Sequence, residues 1–223
     1  MKAPSYLIVG CGHFGERAVL ELLQKNPHAR ITVVDRKETS LGKVSRLPVD
    51  ARVSDGTSFV GQLLSGDRTA DYIIPAVPFH LVFESILSQL KPLGARRIPV
   101  PSLLELPHPT KGKRGDLYTS FADYLCPDDC PEPAHACAVT AVRRPKPLFA
   151  ILSELRGPFV SVVIRSWQLG PGVGGLKTAE WKDLINRIKE RSRTGSLVLV
   201  STACRCHGVI SALTLPTISE SLG

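Results

Sequence analysis

A glycine turn set between a short apolar run and a helix pattern constrains this chain more than any other feature. The run Tyr6-Leu7-Ile8-Val9 leads directly into Gly10-Cys11-Gly12-His13-Phe14-Gly15. A second apolar run, Ile31-Thr32-Val33-Val34, ends on Asp35, twenty residues beyond the last glycine. Strand, glycine turn, helix and acid in that order form the fingerprint of a dinucleotide-binding βαβ unit. Gly10 lets the chain leave the strand in a tight turn. Gly12 has no Cβ, so backbone can approach a pyrophosphate, and Gly15 lets the helix pack close to the sheet. The helix N-terminus offers unpaired N–H groups and positive dipole density to phosphate. Ala18, Val19, Leu22 and Leu23 then mark one helix face.

Asp35 suits the hydroxyls of an adenine ribose, which favours NAD. Arg36 and Lys37 follow and can pair with a 2′-phosphate, which keeps NADP open. The expected cofactor-binding set is Gly10, Gly12, His13, Phe14, Gly15, Asp35, Arg36 and Ala76. Ala76, with Val77, follows an apolar run that ends on Pro75, where a ligand crevice is expected.

The first hundred residues alternate strand and helix patterns. Strands are expected at Tyr6–Val9, Ile31–Asp35, Ala51–Val53, Tyr72–Pro75 and Arg97–Val100, and helices at His13–Gln24, Ser58–Leu64 and Phe79–Leu90. This alternation predicts a Rossmann-like α/β fold with a doubly wound parallel sheet. Three segments are expected: a nucleotide-binding domain over 1–106, a Pro/Cys-rich linker and metal-binding segment over 107–146, and a C-terminal α/β extension over 147–223. In the extension, a short helix is expected near Pro147–Leu155 and a strand over Val160–Ile164. A glycine-rich loop follows over Gln168–Gly175, able to cradle an anion or simply turn the chain. Thr178 is expected to cap a helix with Trp181, Leu184, Ile185 and Ile188 on one face, before a strand over Ser196–Val200.

Five of the six cysteines fall into two groups, Cys126, Cys130 and Cys137, then Cys204 and Cys206 beside His207. Clustered thiols in an intracellular chain point to metal or redox chemistry. The five are the expected metal ligands, since thiolates are soft, charged donors for iron–sulfur clusters or zinc. Arg205 can offset the charge of such a cluster. The spacing, three residues and then six, matches neither a zinc ribbon nor the common ferredoxin run. An iron–sulfur cluster is the first reading, zinc the second and a redox disulfide the third. Cys11, inside the glycine turn, reads as a small packing residue, and His135 as a loop surface residue.

Composition narrows the class. The chain has 223 residues, 43% of them hydrophobic, which is enough for a core. No apolar run is long enough to span a membrane, and Met1–Ser5 lacks the layout of a signal peptide. A cytoplasmic protein is therefore expected. The net charge is +8, with basic clusters at Lys111, Lys113 and Arg114 and at Arg143, Arg144 and Lys146. Without interleaved aromatics these read as solvated loops rather than a nucleic-acid surface.

Leu7 to Gly15, with Val33-Val34-Asp35-Arg36 and the turn Asp55-Gly56-Thr57, resembles the N-terminal nucleotide-binding (RCK) domain of Trk-type potassium-uptake regulators over about residues 5–95. The resemblance implies a Rossmann fold that binds NAD(H) at Gly10, Gly12, Gly15 and Asp35. The cysteine-rich second half departs from that family.

These readings converge on an NAD(P)-binding protein with a cysteine-ligated metal centre, redox-active, with a dinucleotide as ligand. The alternative is a regulatory sensor in which NAD(H) acts on a partner and a structural zinc holds the second half together. A redox or membrane-transport protein is the expected protein partner, and a second copy of the chain, in a homodimer, is the other candidate. No acid–base set stands out, and His80, ahead of the fourth helix pattern, is the best weak choice.

Overall fold

The computed structural model describes residues 3–66, 70–101, 104–191 and 197–216. Ser196 of the expected last strand, and Ser102 and Leu103 of the expected nucleotide-binding domain, lie outside them. The protein is an α/β chain with two mixed sheets. By its contacts it divides into two compact units, each assembled from three stretches of chain. The first holds residues 1–81, 126–143 and 166–180, and the second holds 82–125, 144–165 and 181–223.

The first unit is built on β1 (Ser5–Val9), β2 (Arg30–Asp35), β3 (Asp50–Val53) and β4 (Tyr72–Pro75), which lie parallel in the order β3-β2-β1-β4. Between β1 and β2 runs α1 (His13–Lys25). Its Ala18, Val19 and Leu22 are buried with Ile8, Ile31, Val33 and Ile74 in one apolar cluster, so the helical period read from the sequence is the face that packs. A four-residue helix, α2 (Glu38–Leu41), follows β2 and buries Leu41 in the same cluster. The next helix, α3 (Gly56–Ser65), is capped by Asp55, whose carboxylate accepts from the Ser58 N–H at 2.8 Å.

Two expectations for the sheets are corrected. The first sheet is not wholly parallel. The stretch expected as a glycine-rich loop is a hairpin of β9 (Trp167–Gly170) and β10 (Val173–Lys177), and β10 pairs antiparallel with β4. The glycines there serve close packing. A Cβ on Gly175 would stand 2.3 Å from Leu169 Cδ1, and one on Gly174 would stand 2.4 Å from Ser166 Oγ. Only Pro171 and Gly172 make the turn, with Gly172 at φ +68°. The expected strand at Arg97–Val100 is β5 (Arg96–Ile98), and it belongs to the second sheet, antiparallel to β12 (His207–Thr214).

That second sheet runs β6 (Thr110–Lys111), β7 (Leu117–Ser120), β12, β11 (Leu197–Ala203) and β8 (Phe159–Arg165), with β8 and β11 parallel. On one face α5 (Leu148–Ser153) buries Leu148 and Leu152 against Leu199, Ala203, Ile210 and Ala212. The second unit also buries charge. Arg97 bonds Glu84 at 2.6 Å and Asp116 at 2.7 Å, and the Ser211 hydroxyl donates to Asp116. The Arg97 guanidinium lies 4.3 Å from the centre of the Phe83 ring. The boundary between the units falls within α4 (Leu81–Leu90) and α6 (Thr178–Arg191). Thr178 is the first residue of α6, and its buried hydroxyl has no hydrogen-bond partner, so it does not cap the helix as expected.

Candidate functional site

The carboxyl ends of β1, β2 and β4 open into a pocket of about 430 Å³. Its walls follow those strands: Val9, Gly10 and Gly12 after β1, Asp35, Arg36 and Lys37 after β2, Asp55 and Gly56 after β3, and Ala76 to Phe79 after β4. A crevice outside the carboxyl ends of parallel strands, where the order turns back, is where α/β sheets take ligands.

The glycines divide into two kinds. Gly10 has φ +98°, and a Cβ there would lie 2.4 Å from the Ala76 carbonyl oxygen. A Cβ on Gly15 would stand 2.0 Å from the Gly10 carbonyl oxygen, and one on Gly56 would stand 2.3 Å from Val9 Cγ1. These three are required by the protein's own packing. Gly12 is different. Its φ is −76°, open to any residue, and a Cβ there would meet nothing within 4 Å. It caps α1 with no side-chain bond and faces the pocket.

Asp35 is held on both oxygens. It accepts from the Cys11 N–H at 2.7 Å and from the Lys37 N–H at 2.8 Å. Arg36, the cation that can address a 2′-phosphate, is tied instead to Asp55, with Nε at 2.7 Å from the carboxylate and Nη2 on the same oxygen. The Ser58 N–H, chiefly, and the Arg36 side chain hold the Asp55 carboxyl below its ordinary range, against the opposing effect of burial. A depressed folded pKa means that the stabilisation is complete above the unfolded value of about 3.9. It fades as pH falls through the folded value. Asp55→Ala is accordingly expected to cost about 1 kcal/mol at neutral pH. The gap from wild type should narrow as pH falls below the unfolded value of about 3.9 in urea titrations run across the acid range.

Of the residues expected at this site, Gly10, Gly12, Asp35, Arg36 and Ala76 line the pocket, with Val77 beside them. Gly15 packs behind the turn. His13 and Phe14 lie on the first turn of α1 outside the lining, their rings edge to face at 5.1 Å, with Phe14 exposed. Pro78, expected beside the crevice, lines it, and Ser40 and Phe79 are lining residues that the sequence reading did not single out. Their signal was positional, since each follows a carboxyl strand end by a few residues. His80 is buried directly ahead of α4. Cys11 is fully buried in the core cluster, and burial first, then Asp35, pushes its thiol pKa up, which keeps it a neutral packing residue.

The cysteines fall on both units. Cys126, Cys130 and Cys137 belong to the first, Cys204 and Cys206 to the second. None of the six is in a disulfide. Among the described residues, no three His, Cys, Asp or Glu side chains are grouped so as to hold a metal ion. Several sulfurs are nonetheless supplied with donors. Cys204 Sγ accepts from the N–H groups of Cys206 and His207, each at 3.3 Å, and Cys137 Sγ accepts from the Val139 N–H at 3.4 Å. The Arg144 guanidinium donates to Cys206 Sγ. Burial, and then Arg144, push the His207 pKa down, so its ring favours the neutral form that a soft metal accepts.

A family match covers stretches of both units. Residues 79–216 match the family described as "Uncharacterized protein, C-terminal domain". That span is well over half of the chain, and the chain belongs to this family. A protein of Archaeoglobus fulgidus (strain ATCC 49558 / DSM 4304 / JCM 9628 / NBRC 100126 / VC-16), described as "Uncharacterized protein", is 29% identical over 219 residues, spanning 93% of this chain and 98% of the relative. Among the described residues, no helix is long and apolar enough to cross a membrane.

Proposed function

We propose that the chain binds NAD(H) in a Rossmann-like first unit and uses its cysteines as a second redox element. The observation that carries the first part is Gly12. Neither backbone angle nor packing demands glycine there, whereas a pyrophosphate lying on the α1 N-terminus would. The sheet order β3-β2-β1-β4 and the acid at the end of β2 agree with it. The resemblance to the nucleotide-binding domain of potassium-uptake regulators points the same way.

NAD is the first reading and NADP the second. A carboxylate at Asp35 suits ribose hydroxyls and repels a 2′-phosphate, while Asp55 engages the nearest arginine. Calorimetric titration tests this. NAD⁺ is expected to bind at least about tenfold more tightly than NADP⁺, a difference of about 1.4 kcal/mol. Equal affinities would remove the role given to Asp35, and no heat with either would remove the site.

For the second element, thiolate ligands from among Cys126, Cys130, Cys137, Cys204 and Cys206 would hold an iron–sulfur cluster, ahead of zinc. The support is the set of N–H and guanidinium donors on Cys137, Cys204 and Cys206, because ligated sulfur keeps negative charge and needs such donors. Metal and acid-labile sulfide analysis of anaerobically prepared protein is the test. Iron with sulfide is expected, reduced by substitution of Cys130→Ser. Full occupancy in that variant takes Cys130 out of the ligand set, and zinc without sulfide turns the reading toward a nucleotide-responsive regulator.

A further inference from the structure

The pocket lining runs from the β2 side to Ala76–Phe79 after β4 and holds no residue of β9, β10 or the cysteine loop. Asp35, Arg36, Lys37, Asp55 and Gly56 surround its β2 side, which suits an adenosine. From Gly12 the rest of the ligand has to continue along the carboxyl ends of the strands, past β4, toward β10 and β9. In this chain β10 is antiparallel to β4, so the turn between β9 and β10 returns to that same carboxyl edge.

The cysteine loop is fastened to that turn. The Gly172 N–H and the Gln168 side-chain amide both donate to the Cys130 carbonyl, each at 3.0 Å. Asp128 presses on the same glycine so closely that a Cβ on Gly172 would stand 1.6 Å from the Asp128 carbonyl oxygen. On its other side Asp128 bonds His13 Nε2 at 2.8 Å, the residue directly after Gly12. Arg17 of α1 donates to the Pro171 carbonyl at 3.3 Å, which ties the turn to the same helix. All of these residues belong to the first unit.

We infer that the loop Pro127–Cys130 is the far wall of the dinucleotide site, so that the nicotinamide end of bound NAD lies against it and covers Cys130. This rests on the NAD reading above and adds a second contact region that neither the glycine turn nor the pocket contains. It also sets one of the proposed redox thiols beside the half of the cofactor that carries the hydride.

The experiment separates the two claims. Reduced, chelator-treated protein is alkylated with iodoacetamide alone, with saturating AMP and with saturating NAD⁺, and modification of each cysteine is followed by mass spectrometry. Binding of both nucleotides is measured by calorimetry on the same sample. NAD⁺ is expected to slow modification of Cys130 at least about tenfold, while AMP, which lacks the nicotinamide half, leaves it unchanged. Bound NAD⁺ with Cys130 modified as fast as in the AMP complex overturns the inference and leaves the nucleotide reading intact. No binding of NAD⁺ overturns both.

Should Cys130 resist alkylation under every condition, Gly172→Ala decides instead. Its methyl group displaces the loop, so NAD⁺ affinity is expected to fall about tenfold with AMP affinity kept within about twofold. Unchanged NAD⁺ affinity in that variant overturns the inference.

Discussion

Gly12→Val is expected to abolish NAD⁺ binding, with affinity lowered at least a hundredfold, while the protein stays folded. The two halves of this result come from different contacts. A Cβ at Gly12 meets nothing within 4 Å beyond its own chain neighbours, so the empty protein leaves open space where the side chain starts. The remaining cost is that of a poor N-cap residue on α1, about 1 kcal/mol. The same side chain fills the approach of a pyrophosphate to the helix N-terminus. Calorimetry for binding and circular dichroism for the fold separate the two effects. Gly15→Val is the contrast. Its Cβ would run into the Gly10 carbonyl at 2.0 Å, so that variant is expected to lose the fold along with the ligand. If Gly12→Val binds NAD⁺ as the wild type does, the glycine turn is only a bend in the chain.

The second large effect lies in the other unit. Arg97→Ala is expected to destabilise the protein by about 3 kcal/mol, read as a lowered urea midpoint with unchanged slope. Asp116 is 4% exposed and Arg97 supplies its cation at 2.7 Å, so truncation strands a buried carboxylate. Partial exposure of Arg97 and Glu84, 22% and 21%, keeps the expectation at the lower end of the range for such pairs. Replacing Glu84, Arg97 and Asp116 together by Leu, Met and Leu is expected to recover most of the loss, because the one charge that then loses its bond to Glu84, Arg114, is 60% exposed and returns to water. A triple variant as unstable as Arg97→Ala would mean that Arg97 acts through its packing on Phe83.

The parts legible in the sequence were those with short-range causes. β1, α1 and β2 follow from apolar period and glycine position, and their observed limits lie within a residue of the expected ones. The pocket wall at Ala76 and Val77 followed from a strand ending on Pro75. The hairpin β9–β10 was read as a loop because glycine usually signals a turn. At Gly174 and Gly175 it serves close contact with Ser166 and Leu169, which only the folded chain reveals. β5 was placed in the wrong sheet for a related reason. Its partner, residues 212–214 of β12, lies more than a hundred residues downstream, and a three-residue strand has no pattern strong enough to name it. The cysteine groups stood out in composition. That one of them docks on the β9–β10 turn depends on the bare backbone of Gly172 meeting Asp128, a complementarity with no local signature.

The threading of the chain has a practical bearing on how the gene can be cut. Five crossings join the two units, so neither exists as an uninterrupted stretch of polypeptide. A fragment limited to residues 79–216 would carry β9, β10 and the cysteine loop while lacking β4, the strand on which β10 is paired. Expressed alone it would present an orphaned sheet edge, the kind of surface that recruits other chains into aggregates. Truncation at the family boundary is thus a poor route to an isolated second unit. Partners for assembly or display are better fused at the ends of the intact chain, which leave every crossing in place.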